Sequence, residues 1–206
     1  LMMDGVVTGN ATFTSGSSLS CMGGGTVQGD ATFNSGQLLG GTIQGKATIN
    51  DALNQAHYNF TAGSLEYHSE GYIEPAEVTG QALIDGGTLV GGTFGATVEV
   101  VSAYIEDQGA IAAPHVLARD CVIVAAGGGI ARLSCYGACS VTGGVSVLRL
   151  DVHGVVTFDD PSLLMGVPVY LMSRTARLED ALFDLVTRTD LPRPLGVGFP
   201  QVLQNG

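Results

Sequence analysis

The sequence predicts an all-β protein: a parallel β-helix (β-solenoid) with a short C-terminal helix and an extended tail. Three observations lead there. Gly accounts for 31 of 206 residues without a G-X-Y period, so the glycines punctuate many tight turns and a collagen-like chain is excluded. A nonapeptide recurs, as GVVTGNATF at 5–13, GTVQGDATF at 25–33 and GTIQGKATI at 41–49; self-similarity at such a period marks a stacked repeat. Within each copy apolar and polar residues alternate, as they do on a strand with one buried face.

The first three copies define the coil. Their starts at Gly5, Gly25 and Gly41 lie 20 and 16 residues apart, and a weaker copy, AEVTGQALI at 76–84, follows after 35, close to two units of about 17 residues. GTFGATVEV at 92–100 keeps the Gly-Thr opening. Each copy holds two short strand-like pieces with a Gly where the chain must bend. In Gly29-Asp30-Ala31-Thr32-Phe33, the strand period of two sends Ala31 and Phe33 to one face and Asp30 and Thr32 to the other. Ala11 with Phe13 and Ala47 with Ile49 repeat the arrangement. Stacked coils then build a ladder of Ala on Ala and of an aromatic or Ile on its equivalent. An outward ladder carries Asn10, Asp30 and Lys46 with Thr12, Thr32 and Thr48.

After Val98 the motif dissolves but short apolar strands continue, at Val98–Val101, Val116–Leu117, Cys121–Ala125, Ala131–Ser134, Val145–Leu150 and Val155–Phe158. Gly127–Gly129, Gly137 and Gly143-Gly144 separate several of them. The solenoid is therefore expected over residues 1–160, as roughly nine coils in a rod of about 45 Å at ~4.8 Å per strand.

Residues 161–206 differ in character. Leu178, Ala181, Leu182, Leu185 and Val186 fall at i, i+3, i+4, i+7 and i+8, the stripe of an amphipathic helix. Ser173 or Thr175 would cap its start and Asp190-Leu191-Pro192 would end it. The Pro- and Gly-rich remainder cannot form a long regular element. This segment is expected to cap the rod or attach it to a larger assembly, with Leu178, Leu182, Phe183, Leu185, Val186 and Phe199 as contact residues.

Composition narrows the function. A hydrophobic fraction of 45% excludes a disordered chain. Net charge is −11, and through residue 118 Lys46 faces eleven Asp and Glu alone, with all seven Arg from Arg119 onward. A surface short of Lys and Arg cannot displace counterions from phosphates, so nucleic-acid binding is excluded. No apolar run is long enough to span a membrane, and no basic-then-apolar start reads as a signal peptide. Beginning at Leu1 rather than Met, the sequence reads as a fragment or a processed product. Cys21, Cys121, Cys135 and Cys139 form no CxxC pair and are too unevenly placed for a disulfide scaffold; buried or unpaired thiols are expected.

The densest group of chemically capable side chains is His57, Tyr58, Glu66, Tyr67, His68, Glu70, Tyr72, Glu74 and Glu77. Two carboxylates flanked by aromatics are what glycoside hydrolysis needs, one as acid and one as base or nucleophile. This spacing defines no carboxylate pair, and a solvated face or loop is the simpler reading. Neither an EF-hand loop nor a Gly-Gly-x-Gly-x-Asp repeat supports calcium. Gly23–Gly25 and Gly127–Gly129 lack the Lys-Ser/Thr ending of a phosphate loop, and no Gly-x-Ser-x-Gly elbow exists. His115 and His153 stand alone in sequence and read as surface residues. The chain is expected to be no enzyme and to carry no cofactor or metal.

The G-[TV]-V-x-G-[ND]-A-T-F unit of residues 5–49 resembles the Gly-Asn-Ala-Thr-Phe repeats of predicted β-solenoid proteins in bacteriophage tail fibres and related virion components. The resemblance is weak over 76–100 and absent beyond. It implies a structural fibre, spike or decoration protein located in the virion, partnered by other virion proteins or by its own copies, with a trimer as one option, and reaching toward a host-surface glycan. Bacterial surface adhesins, extracellular and glycan-binding, use similar repeats and are the alternative. A polysaccharide-degrading tailspike fragment is another, and needs a groove in which Glu66, Glu70 or Glu74 faces a second carboxylate. The match lies in the scaffold, so no active-site residue carries over.

Overall fold

The computed structural model describes residues 2–14, 21–50, 56–57, 59–107, 110–180 and 202–204. Among these residues the chain is a β-solenoid of about nine turns, with its strands in a 16-stranded and an 8-stranded sheet. Each coil has three faces. The first is the 8-stranded sheet, running from Ala56–His57 through Tyr72–Ile73, Thr88–Leu89, Tyr104–Glu106, Val122–Ala125, Ala138–Val141 and Val155–Phe158 to Arg177–Asp180. The second stacks Val6–Val7 on Thr26 and Val27, then Thr42 and Ile43, Thr61 and Ala62, Glu77–Val78 and Gly92–Phe94. The third runs from Ala11–Phe13 to Val202–Gln204. Gln37–Ile49 and Phe60–His68 pass round the corner between the second and third faces, which makes one sheet of both.

The motif sets the register. Ala11, Ala31 and Ala47 pair in line, as do Phe13, Phe33 and Ile49, with Thr12, Thr32 and Thr48 between them facing out. Phe13 and Phe33 stack at 4.5 Å with their planes 3° apart. Farther along the third face the two inward columns exchange bulk. The Ala column becomes Val116, Leu133 and Leu150, while the Phe column becomes Ala118, Cys135 and Val152. Small and large residues trade places between the columns on most rungs, with Leu65 and Tyr67 both large on one, so the interior stays filled without a fixed pair.

Every residue of the repeat has a task in this stack. The second glycine forms a column, Gly9, Gly29, Gly45, Gly63 and Gly80, linked by backbone bonds such as Gly29 N to Gly9 O at 3.2 Å and Gly80 N to Gly63 O at 2.7 Å. Here glycine is required by close approach. A Cβ on Gly45 would be driven into Asp30 Oδ1 and lie 2.8 Å from Gly29 O, whereas one on Gly9 meets nothing within 4 Å. The following Asn or Asp reaches along the rod. Asn10 Oδ1 accepts from Asp30 N at 2.9 Å and Asp30 Oδ1 from Lys46 N at 2.8 Å, so the side chain satisfies the N–H that the corner leaves out of the ladder.

The corner between the third and first faces uses left-handed backbone. Gly86, Ser102, Asp120 and Gly137 follow paired strand ends on successive coils and have φ of 88°, 48°, 54° and 65°. Asp120 holds this region without glycine, as Asp tolerates left-handed backbone, and its Oδ1 accepts from Ala138 N on the next coil at 2.8 Å. Asp107, only 2% exposed, accepts from Ala110 N, Ile111 N and Gly127 N at 2.7–2.9 Å and ties one coil's loop to the next.

Two expectations change. The helix predicted from Leu178 is replaced at its start by the strand Arg177–Asp180, which pairs with Val155–Phe158 and buries Leu178 opposite Val156. Alternation of Arg177, Leu178 and Glu179 serves a strand as well as a helix, and the open edge of Val155–Phe158 decides for the strand. Leu178 therefore belongs to the core and is not free for an assembly contact; Leu182, Phe183, Leu185, Val186 and Phe199 lie outside the described residues. The ladders also run past residue 160, through Val169–Leu171, Arg177–Asp180 and Val202–Gln204. The helical turn among the described residues is a 3-10 segment, Pro161–Leu164, capped by Asp160 Oδ1 on Ser162 N at 2.8 Å.

The glycine column yields a paired prediction. Gly45→Ala should cost more than about 2 kcal/mol, because backbone above it must shift. Gly9→Ala, at the same place in the motif but with open space above, should change stability by less than about 0.5 kcal/mol. Urea unfolding of the two variants compares them directly, and equal losses would refute close approach as the reason for the column.

Candidate functional site

The cluster at residues 57–77 is contiguous in sequence and dispersed in space, because one turn of the solenoid carries it past all three faces. His57 and Tyr67 point into the core, Glu66 and His68 lie outward on the third face, Tyr72 outward on the first and Glu77 outward on the second. Glu70 and Glu74 are exposed between strands. Tyr58 lies outside the described residues.

On the third face the outward polar side chains link up along the rod. Lys46 Nζ sits 2.6 Å from Glu66 Oε2, and the His68 ring nitrogens lie 3.3 Å from Glu66 Oε1 and from Asp85 Oδ2. The hydrogen bond from Lys46, with a second from His68, holds the Glu66 carboxyl below its ordinary range. Glu66 is thus fixed as an anion and unsuited to donate a proton. A groove of about 530 Å³ runs past Lys46, Glu66, Leu83 and Glu99. Glu66 and Glu99 share an outward column with Leu83 between them, which puts their backbones about 10 Å apart.

His57 is a structural histidine. It is fully buried, packs edge-on to Tyr67 with ring centroids 5.7 Å apart, and accepts the Leu38 N–H at Nδ1 over 3.1 Å. Nδ1 is the acceptor, so the proton sits on Nε2, which has no hydrogen-bond partner among the described residues. Burial pushes its pKa down to about 4.

A second cluster, scattered in sequence, is assembled by the ladder. HVLAR at 115–119, RLSCY at 132–136 and RLDVH at 149–153 stack in register. Their outward positions form a grid: His115, Leu117 and Arg119 on one rung, Arg132, Ser134 and Tyr136 on the next, Arg149, Asp151 and His153 on the third. Val169–Leu171 continues it, with Tyr170 beside Asp151. Asp151 is fully buried although its strand position faces outward, because two guanidiniums close over it. Arg132 Nε lies 2.6 Å from Asp151 Oδ2, with one of its terminal nitrogens on the same oxygen, and Arg149 Nε lies 2.7 Å from Oδ1. The Arg149 guanidinium is 4.2 Å from the Tyr170 ring centroid and that of Arg119 is 5.5 Å from Tyr136. Tyr136 stacks on His153 at 4.2 Å, and His115 Nε2 is 2.8 Å from Ser134 Oγ. His115 and His153 are therefore parts of this network, not the isolated surface residues expected. Burial lowers the pKa of both.

Cys121, Cys135 and Cys139 are buried free thiols. Burial pushes Cys121 up to about 11. Cys135 is raised well above the ordinary thiol value, first by its hydrogen bond with Cys139 and then by burial. Among the described residues no three His, Cys, Asp or Glu side chains are grouped to hold a metal ion, and no helix is long and apolar enough to cross a membrane. No protein-family profile, curated protein or solved structure matches the chain.

Two predictions follow from these buried groups. His57 folds with a pKa of about 4 against 6.5 in the unfolded chain, so the unfolded state takes up the proton first. Its stability contribution is complete above pH 6.5 and is lost as pH falls toward 4, by roughly 3 kcal/mol. Melting curves across that range should show a steeper decline for the intact chain than for a His57→Leu variant; parallel declines would refute burial of the neutral ring as the cause. Asp151→Asn leaves Arg132 and Arg149 on adjacent rungs without their shared anion. With both side chains about 40% exposed, the loss should fall at the low end for a broken buried pair, about 3 kcal/mol in the unfolding free energy measured in urea.

Proposed function

We propose that this chain is a structural rod of a bacteriophage particle, a fibre, spike or decoration component that holds its outward side chains at fixed spacing. The observation that carries this reading is the parallel ladder of the third face, which continues from Ala11–Phe13 to Val202–Gln204. A body about nine turns long is stiff, because bending it breaks backbone bonds and opens core columns together. The Gly-Asn-Ala-Thr-Phe repeat at its start is what links such a rod to phage fibres. Attachment is assigned to residues 181–201, with Leu182, Phe183, Leu185, Val186 and Phe199 as contacts to copies of the chain or to other particle proteins. Leu178 is withdrawn from that set because strand pairing buries it.

A second reading, recognition of a surface glycan, is favoured by one observation, the Arg, Tyr and His grid between His115 and Tyr170. The tailspike reading finds less support, since Glu66 is engaged by Lys46 while Glu70 and Glu74 are exposed between strands.

Light scattering on the purified chain should give a concentration-dependent oligomer. A double variant, Leu182→Asp with Leu185→Asp, should remain monomeric with an unchanged circular dichroism spectrum. An intact chain that stays monomeric at every concentration, and a double variant that still enters particles, would overturn the assembly reading.

A further inference from the structure

We propose that the grid carrying Arg119, Arg132 and Arg149 is a binding face for an anionic polysaccharide, whose carboxylate or sulfate groups are received by guanidinium nitrogens that Asp151 leaves available. The inference is independent of where the rod attaches.

Its first support is where the positive charge lies. Up to residue 118 the chain has one basic side chain against eleven acidic ones, and the net charge is −11. On three successive rungs of the third face the outward positions hold three Arg and one carboxylate, Asp151, with imidazoles at two corners. Of the neighbouring carboxylates, Asp120 turns its Oδ1 to Ala138 N at the corner, and Glu99 stands one rung before Leu117 at the edge of the grid. A polyanion is repelled by the rest of the surface and drawn to this strip, where local charge and overall charge have opposite signs.

The second support is that the guanidiniums are held in place. A fully buried carboxylate positions both Arg132 and Arg149, using Nε and one terminal nitrogen of the first and Nε of the second. Each guanidinium has five N–H donors in a planar fork, so outward-facing donors remain on both. The Arg149 guanidinium lies 4.2 Å from the Tyr170 ring centroid and that of Arg119 5.5 Å from Tyr136, cation–π contacts that restrain both side chains. Such preorganisation reduces the side-chain entropy lost on binding an oxyanion, and the planar fork matches carboxylate or sulfate geometry.

The third support is periodicity. Rungs recur every ~4.8 Å along the rod; Arg132 and Arg149 stand on consecutive rungs of one column, and Arg119 stands one rung earlier at the other end of the strand, in the column of Tyr136 and His153. A single small anion would use one fork. A linear polymer with regularly placed acidic groups, crossing the face obliquely, meets all three and gains from each in turn.

The test is titration of the intact chain with four probes: polygalacturonate, dextran sulfate, unmodified dextran and a single-stranded oligonucleotide. The expected result is binding to one or both anionic polysaccharides, weakening as salt rises, with none to dextran and weaker binding to the oligonucleotide. Which of the two is preferred identifies the oxyanion. A charge-compensated triple variant, Arg132→Gln, Arg149→Gln and Asp151→Asn, should lose about tenfold or more in affinity with its circular dichroism unchanged. If that variant fails to fold, Arg119→Gln, which breaks no ion pair, should still weaken binding about threefold. No binding to either anionic polysaccharide at low salt, equal binding to dextran, oligonucleotide binding as tight as theirs, or undiminished affinity in Arg119→Gln or in a folded triple variant would each overturn the proposal. None of these outcomes bears on oligomerisation through residues 181–201, so the two proposals fail separately.

Discussion

A single coil of this chain can satisfy neither its backbone nor its apolar side chains, and the coil above and the coil below must do both. The pleated strands hydrogen-bond along the rod, the inward residues pack along it, and stability is a sum over interfaces between neighbours. Everything repetitive in the first fifty residues answers to that requirement. Glycine recurs where one coil's backbone passes close beneath the next. Asn10 and Asp30 recur because an N–H at the corner needs an acceptor from the coil before it. Ala and Phe recur because identical side chains stack without leaving gaps.

The same requirement relaxes once it is met another way. Beyond Val98 the sequence motif fades while the ladder keeps its register. Inward volume is shared differently between the two columns, and Asp107 and Asp120 perform by side-chain bonds what glycine and Asn perform earlier. Only the sum of volumes on a rung and the satisfaction of each corner are constrained, and several residue combinations meet both.

Stacking also decides which side chains meet on the surface. Neighbours in sequence are sent to different faces, so the acidic and aromatic residues between His57 and Glu77 do not form one site. Residues about seventeen apart are brought together, and these include two arginines that close over one carboxylate. The outward row of the third face passes from acidic ion pairs around Glu66 to a basic and aromatic grid around Asp151. A rigid scaffold thereby presents two chemically distinct strips in one line, which suits a rod that makes contact along its side.

The sequence by itself determined the solenoid, the inward pairs Ala31 with Phe33 and Ala47 with Ile49, and the turn count, because a repeat that stacks on itself records its own contacts. The Arg grid was also written there, as HVLAR, RLSCY and RLDVH at intervals of seventeen, but without the Gly-x-Ala-Thr marker nothing set the register needed to align them. Only the tertiary structure decided that Leu178 pairs as a strand, since its pattern suits two periods and the open edge of Val155–Phe158 selects one. It alone decided that His57 is buried and neutral and that Asp151 is buried between two guanidiniums. Both positions read as polar in sequence, and what separates them is the partner each meets on the adjacent coil, a backbone N–H for one and two guanidiniums for the other.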